Sequence, residues 1–175
     1  GLKAPVLYSF LDVNNIKALI SPFGQHFWDF DSARFEVPKG SGKNSLFSNT
    51  LWIGGIDENN QMHVAAERYR SEGHDYASGP TGGTCDSNFQ KKWCNNWKVS
   101  KDDIRYHINN YFQPGYKAIK AIETWPAHGD IAVGQQKNYA PYYDANHNNI
   151  YDPYNGDYPL IRGDQAIFFI MYDFR

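Results

Sequence analysis

A chain of 175 residues that is 41% hydrophobic and 21% charged can bury a core, as one domain or one domain with ornaments. Its formal net charge of −2 supplies no basic field, which argues against general affinity for nucleic acid or an anionic membrane surface. No apolar run approaches the ~20 residues of a bilayer-spanning helix; the longest, Ala166-Ile167-Phe168-Phe169-Ile170-Met171, has the length of one buried strand.

Gly1 is not followed by a charged-then-apolar leader, as in a cytosolic chain or a processed or excised mature one. "VNNIKALISP" (13–22) alternates Ile16, Ala18 and Ile20 with polar neighbours and reads as a half-buried strand. "HFWDF" and "ARFEVP" read as two more short strands, broken at Asp31-Ser32. "PKGSGKNS" (38–45) resembles a phosphate-binding loop only superficially. Val37 stands where the first glycine belongs and Asn44 where Ser or Thr should follow Lys43, so nucleotide binding is rejected.

"TLWIGGIDENNQMHVAAERYR" (50–70) is the clearest hairpin, two extended runs around Asp57-Glu58-Asn59-Asn60. Period-two alternation puts Met62, Val64 and Ala66 on one face. Gly54-Gly55 in its first arm marks a bulge or a close backbone approach. Residues 71–84 read as an irregular connection. Cys85 and Cys94 follow in the loop-like stretch "GGTCDSNFQKKWCNNW", where a Cys85–Cys94 disulfide would close a small ring and point to an oxidising compartment. Their spacing makes a poor zinc site.

Ser100 and Asp103 form a capping-box pattern ahead of a helix with the stripe Ile104, Ile108 and Tyr111 or Phe112, ended by Pro114-Gly115. A second, shorter helix is expected over 116–124 with Ile119 and Ile122 inward. After a long loop, "QAIFFIMYDF" (165–174) reads as a central strand. The fold class expected is α+β, predominantly β: short antiparallel strands and hairpins, long loops, and one or two inserted helices.

Oxygen-bearing side chains recur at every second position in "YYDANHNNIYDPYNGDYP" (143–160). Against a calcium loop of the EF-hand type, Asp144, Asn146 and Asn148 take positions one, three and five. The Ile150 carbonyl takes seven and Asp152 takes nine. Asn149 fills the sixth position, where a left-handed backbone is needed, and Asn155 replaces the usual glutamate at twelve, leaving Asp157 as a substitute. With two or three carboxylates and no flanking helices, the affinity expected is that of extracellular modules, ~10⁻⁴–10⁻³ M. The competing reading is a metal-free turn cluster stitched by Asn side chains.

Several of these segments, in this order, carry a resemblance: "LDVNNIKALI", "FWDF", "ARFEVPKGSGKNSLFSNTLWIGGID", "VAAERYR", "WKVSKDDI", "WPAHGD" and "APYYDANHNNIYDPYNGDYPLIRGDQAIFFIMYD". Together they resemble a module of large secreted Bacteroidetes proteins exported by the type IX secretion system. The resemblance implies an extracellular or cell-surface location. It also implies that the chain is one module of a longer protein whose sorting domain lies elsewhere. The acidic loop of that family usually reads Asp-x-Asn-x-Asp-Gly, and Asn148-Asn149 stands here in place of Asp-Gly.

Other motifs are weaker. His128 and Asp130 in "WPAHGD" could form a metal or acid–base pair, but Pro126 and Gly129 favour a polar turn. His26, His63, His74, His107 and His147 are scattered, and neither a G-x-S-x-G elbow nor a Cys in a basic niche is present. Arg162-Gly163-Asp164 invites an adhesive reading but runs straight into the expected buried strand. The expectation is therefore a non-catalytic, calcium-stabilised extracellular module of 1–175 with a structural, adhesive or filament-forming role and other surface or secreted chains as partners. The alternative is glycan binding or degradation, with Trp28, Trp52, Trp93, Trp97 and Trp125 as stacking platforms. A secreted hydrolase using "WPAHGD" is a third reading.

Overall fold

The computed structural model describes residues 8–67 and 75–173. The expected strand residues 68–70, His74 and Phe174 lie outside them. The described chain is predominantly β, with 14 short strands and three helices. It divides into two compact units, 1–79 with 86–96 and 169–175, and 80–85 with 97–168.

In the first unit, β1 (Ser9–Leu11), β2 (Lys17–Ile20), β3 (Gln25–His26), β4 (Phe35–Glu36) and β5 (Asn44–Leu46) come first. Strands β1, β2, β4 and β5 form an antiparallel sheet in that order. Ala18 and Leu19, adjacent on β2, are both buried, so this strand is covered on both faces rather than alternating as expected. Strand β6 (Asn49–Thr50) pairs with β3. The expected hairpin then appears as β7 (Trp52–Ile56) and β8 (Met62–Ala66), in register from Trp52↔Ala66 to Ile56↔Met62. Its turn is held by Asp57, whose carboxylate accepts the N–H groups of Asn59 and Gln61, and Asn60 adopts φ +59°.

After β9 (Tyr76–Ser78), a helix replaces the expected cysteine loop: α1 (Ser87–Trp93), with Asp86 as N-cap accepting from Asn88 and Phe89. This corrects the disulfide expectation. Cys85 and Cys94 are both thiols. Seven helical residues separate Asp86 from Cys94, about 10 Å of rise, whereas bonded cysteines hold their Cα atoms ~4.4–6.8 Å apart. The helical signal was Asp86 ahead of Asn88-Phe89-Gln90-Lys91-Lys92, which the flanking Gly and Asn residues obscured.

The second unit contains β10 (Trp97–Ser100), α2 (Lys101–Asn110), α3 (Lys120–Glu123), β11 (Tyr142–Tyr143), β12 (Tyr158–Pro159) and β13 (Gln165–Phe168). The capping box is present: Ser100 Oγ accepts the Asp103 N–H, and the Asp103 carboxylate accepts the Ser100 N–H. Helix α2 stops at Asn110, and its buried positions are Ile104 and His107. Ile108 and Phe112 are exposed, and His107 takes the inward position expected of Ile108, between buried Ile104 and half-buried Tyr111. Helix α3 is a single turn with Ile122 fully buried and Ile119 exposed. The core of this unit gathers Trp97, Val99, Ile104, Ile122, Trp125 and Ala127, with Phe168 against both tryptophan rings at 5.5 and 6.4 Å.

The expected central strand at 165–174 is two strands. Strand β13 pairs with β10, and β14 (Met171–Asp173), back in the first unit, pairs with β9. Each has one described partner and is half-buried along most of its length. Its apolar run reads as continuous because Phe169 and Ile170 carry the chain between the two pairings without a polar break.

Candidate functional site

The loop 144–157 is closed at its base by the antiparallel pair β11–β12, in register Tyr142↔Pro159 and Tyr143↔Tyr158. The Tyr143 and Tyr158 rings stack there, 4.8 Å apart and 19° from parallel. Tyr151 reaches out of the loop to donate its hydroxyl to the Ile122 carbonyl at 2.7 Å, and burial, then the Asp157 charge, pushes its phenol up.

Inside the loop the alternating oxygens have a common orientation toward the loop backbone. The Asp144 carboxylate accepts the N–H groups of Asn148 and Asn149, Asn146 Oδ1 accepts Asn148 N–H, and Asn148 Oδ1 accepts Ile150 N–H at 2.8 Å. His147 and Asn149 sit at φ +60° and +61°, the left-handed region that Asn tolerates better than most residues. Desolvation works against ionising Asp144, but the N–H groups of Asn149, Asn148 and His147 outweigh it and hold the carboxyl below its ordinary range. Each of these bonds uses one lone pair of its oxygen, leaving the other available to a cation.

Asp157 plays a different part. It is fully buried, and its two carboxylate oxygens accept the Ala145 N–H at 2.9 Å and the Asp152 N–H at 2.8 Å. It therefore clamps the entry of the loop to its exit. Its own carbonyl receives His107 Nε2–H at 2.9 Å, and His107 Nδ1 accepts the Tyr116 hydroxyl at 2.9 Å. A carbonyl can only accept, so Nε2 carries the proton of the neutral ring. Burial lowers the His107 pKa and keeps the ring in that state. His107 thus fastens helix α2 to the loop, a role that its scattered position in the sequence did not disclose. Asp152 caps the short 3-10 turn Pro153–Asn155, accepting Tyr154 N–H and Asn155 Nδ2–H.

Among the described residues no three His, Cys, Asp or Glu side chains come together as a metal cluster. Ligation here would depend on Asn146, Asn148 and the Ile150 carbonyl as much as on carboxylates.

The remaining candidates separate. His128 donates from Nδ1 toward Asn138 Oδ1 and the Lys137 carbonyl, and its Nε2 accepts from the Tyr142 hydroxyl. Asp130 instead caps the turn Ile131–Val133. A Cβ at Gly129 would lie 2.3 Å from the Gln136 carbonyl oxygen, so this glycine is required by close backbone approach. "WPAHGD" is a hydrogen-bonded turn. Trp28, Trp93, Trp97 and Trp125 are buried, which removes them as stacking platforms; Trp52 is 69% exposed, its ring fixed by an Nε1–H bond to the Glu67 carbonyl. Arg162, Gly163 and Asp164 form an exposed turn ahead of β13 rather than the start of a buried strand. No helix among the described residues is long and apolar enough to cross a membrane.

No protein family, curated protein or solved structure matches the chain.

Proposed function

We propose that this chain is a non-catalytic, calcium-stabilised module of an extracellular or cell-surface bacterial protein, with a structural or adhesive role. The observation that supports it is the 144–152 run. Its alternating Asp and Asn oxygens are already turned toward one short backbone segment by N–H bonds. Two left-handed residues shape the turn, as a free-standing oxygen loop for a hard cation requires. The candidate ligands Asp144, Asn146, Asn148 and the Ile150 carbonyl are all hard oxygens, which favours calcium over zinc or copper. Asp157 supports the loop from behind rather than ligating, because it is fully buried and its carboxylate joins Ala145 to Asp152. The extracellular assignment rests on the resemblance to secreted Bacteroidetes modules; the cysteines do not add to it, since both are thiols.

Direct titration tests the binding. Calorimetric injection of calcium should show one site of ~10⁻⁴–10⁻³ M that Asp144→Ala and Asn148→Ala abolish. Absence of binding heat and of a calcium-dependent melting shift leaves the loop as a turn cluster.

A further inference from the structure

We infer that the hairpin β7–β8 is a self-association face through which two copies of this chain pack sheet against sheet. This rests on the hairpin alone and is independent of the calcium reading. Alternation places Trp52, Gly54 and Ile56 of β7 and Ala66, Val64 and Met62 of β8 on one side of the ribbon. The four large side chains among them are 69%, 71%, 55% and 77% exposed for Trp52, Ile56, Val64 and Met62. None of the six residues on this side is charged or polar. Soluble proteins rarely leave so continuous an apolar surface open unless something covers it.

The pattern of sizes identifies the occupant. The three cross-strand rows are Trp52 with Ala66, Gly54 with Val64, and Ile56 with Met62. Turn a second copy about a two-fold axis running along the strands between β7 and β8, and β7 of one copy lies over β8 of the other. Trp52 then covers Ala66 of the second copy, Val64 fills the space above Gly54, and Ile56 meets Met62. Large faces small in two rows, and in the third Ile56 meets the unbranched, flexible Met62. This is the self-complementarity that an isologous contact needs. Aligned sheets pack in the same way in β-sandwiches. The exposed side chains and the bare strand at Gly54 offer roughly 600 Å² per copy, about 1,200 Å² for the pair, at the lower edge of stable specific interfaces. The same axis brings the two Asp57-Glu58 tips to one end. Asp57 and Glu58 both carry negative charge at these tips, so salt should tighten the pair.

Sedimentation equilibrium of the full 175-residue chain, from about 5 to 500 µM, tests the inference. The mass should rise from 20.1 kDa toward twice that value, more readily at high salt. Ile56→Lys and Met62→Lys should each remove the association. Gly54→Val should weaken it at least tenfold by setting valine against Val64 of the other copy. An added Cβ at this position meets its nearest neighbours, the His63 carbonyl and a Val64 methyl, at the ordinary contact distances of 3.7 and 3.8 Å. The exchange Gly54→Val with Val64→Gly should restore association, since the two-fold simply swaps the filled and empty positions. Each variant is compared at a concentration where it melts as the wild type does, and the two lysine variants back each other should one not fold. A chain monomeric throughout, association that the lysine variants leave untouched, or an exchange that fails to restore it overturns the inference.

Discussion

The loop 144–157 and the hairpin 52–66 are opposite solutions to the same problem of stabilising a short two-stranded element. A lone hairpin is marginal in water, so something beyond its ladder must hold it. In the loop, that support is polar: a buried carboxylate, Asx bonds and His107 from α2 satisfy the polar backbone with almost no large apolar core of the loop's own. The hairpin has a sound ladder and a turn pinned by Asp57, yet leaves four large apolar side chains on one face in solvent. The loop finds partners for the N–H groups of Ala145, Asn149, Ile150 and Asp152 within one copy, whereas apolar burial can be completed by another chain. The two regions should therefore respond to different perturbations.

The largest contrast is expected at the clamp. Asp157→Ala removes an acceptor from two loop N–H groups at a fully buried position and should cost about 3 kcal/mol or more in urea unfolding. Asp157→Asn, which keeps one carbonyl oxygen, should cost less. A change under 1 kcal/mol for the alanine variant would remove the clamp from the account. Gly129→Ala should come next, about 2 kcal/mol, because the new methyl meets a backbone oxygen that cannot move aside freely.

A smaller effect follows from His26. Its Nδ1 accepts the Ser21 N–H, which only a neutral ring can do, and burial lowers its pKa. The unfolded chain takes up a proton at this residue near pH ~6.5, above the folded value. Stability should therefore be flat above neutrality and fall as the pH drops below ~6.5 toward the folded pKa. Part of that slope should disappear in His26→Gln, measured as urea midpoints at neutral and acidic pH. At the hairpin face, Ile56→Lys in a dilute sample should change stability by less than about 0.5 kcal/mol, since the side chain is already in water.

How much of this was readable from the residues follows the range of the forces involved. The 52–66 hairpin and the Ser100–Asp103 capping box were legible because their signals are local, alternation around an Asn/Asp turn in one and a side-chain oxygen three residues from its partner in the other. Helix α1 was missed because its strongest signal, the Asp86 cap, sits among Gly, Cys and Asn residues that read as loop. The 165–174 run was misread because a switch of sheet partner at Phe169 leaves no mark in an apolar sequence. The loop ligands were visible as a spacing, but the assignment of Asp157 to a clamp and the tie through His107, 50 residues away, depend on tertiary contacts. The tryptophans show the same limit: composition gives their number, and only packing separates exposed Trp52 from four core residues.

The most direct test is the melting temperature of the chain and of Asp144→Ala, each in 10 mM calcium and in excess chelator. For a site of ~10⁻⁴–10⁻³ M, ligand-linked stabilisation predicts that calcium raises the wild-type midpoint by roughly 3–10 °C. The variant should melt at the same temperature in both buffers. Equal midpoints for the wild type with and without calcium, or a calcium shift that Asp144→Ala retains in full, would contradict a calcium-holding loop.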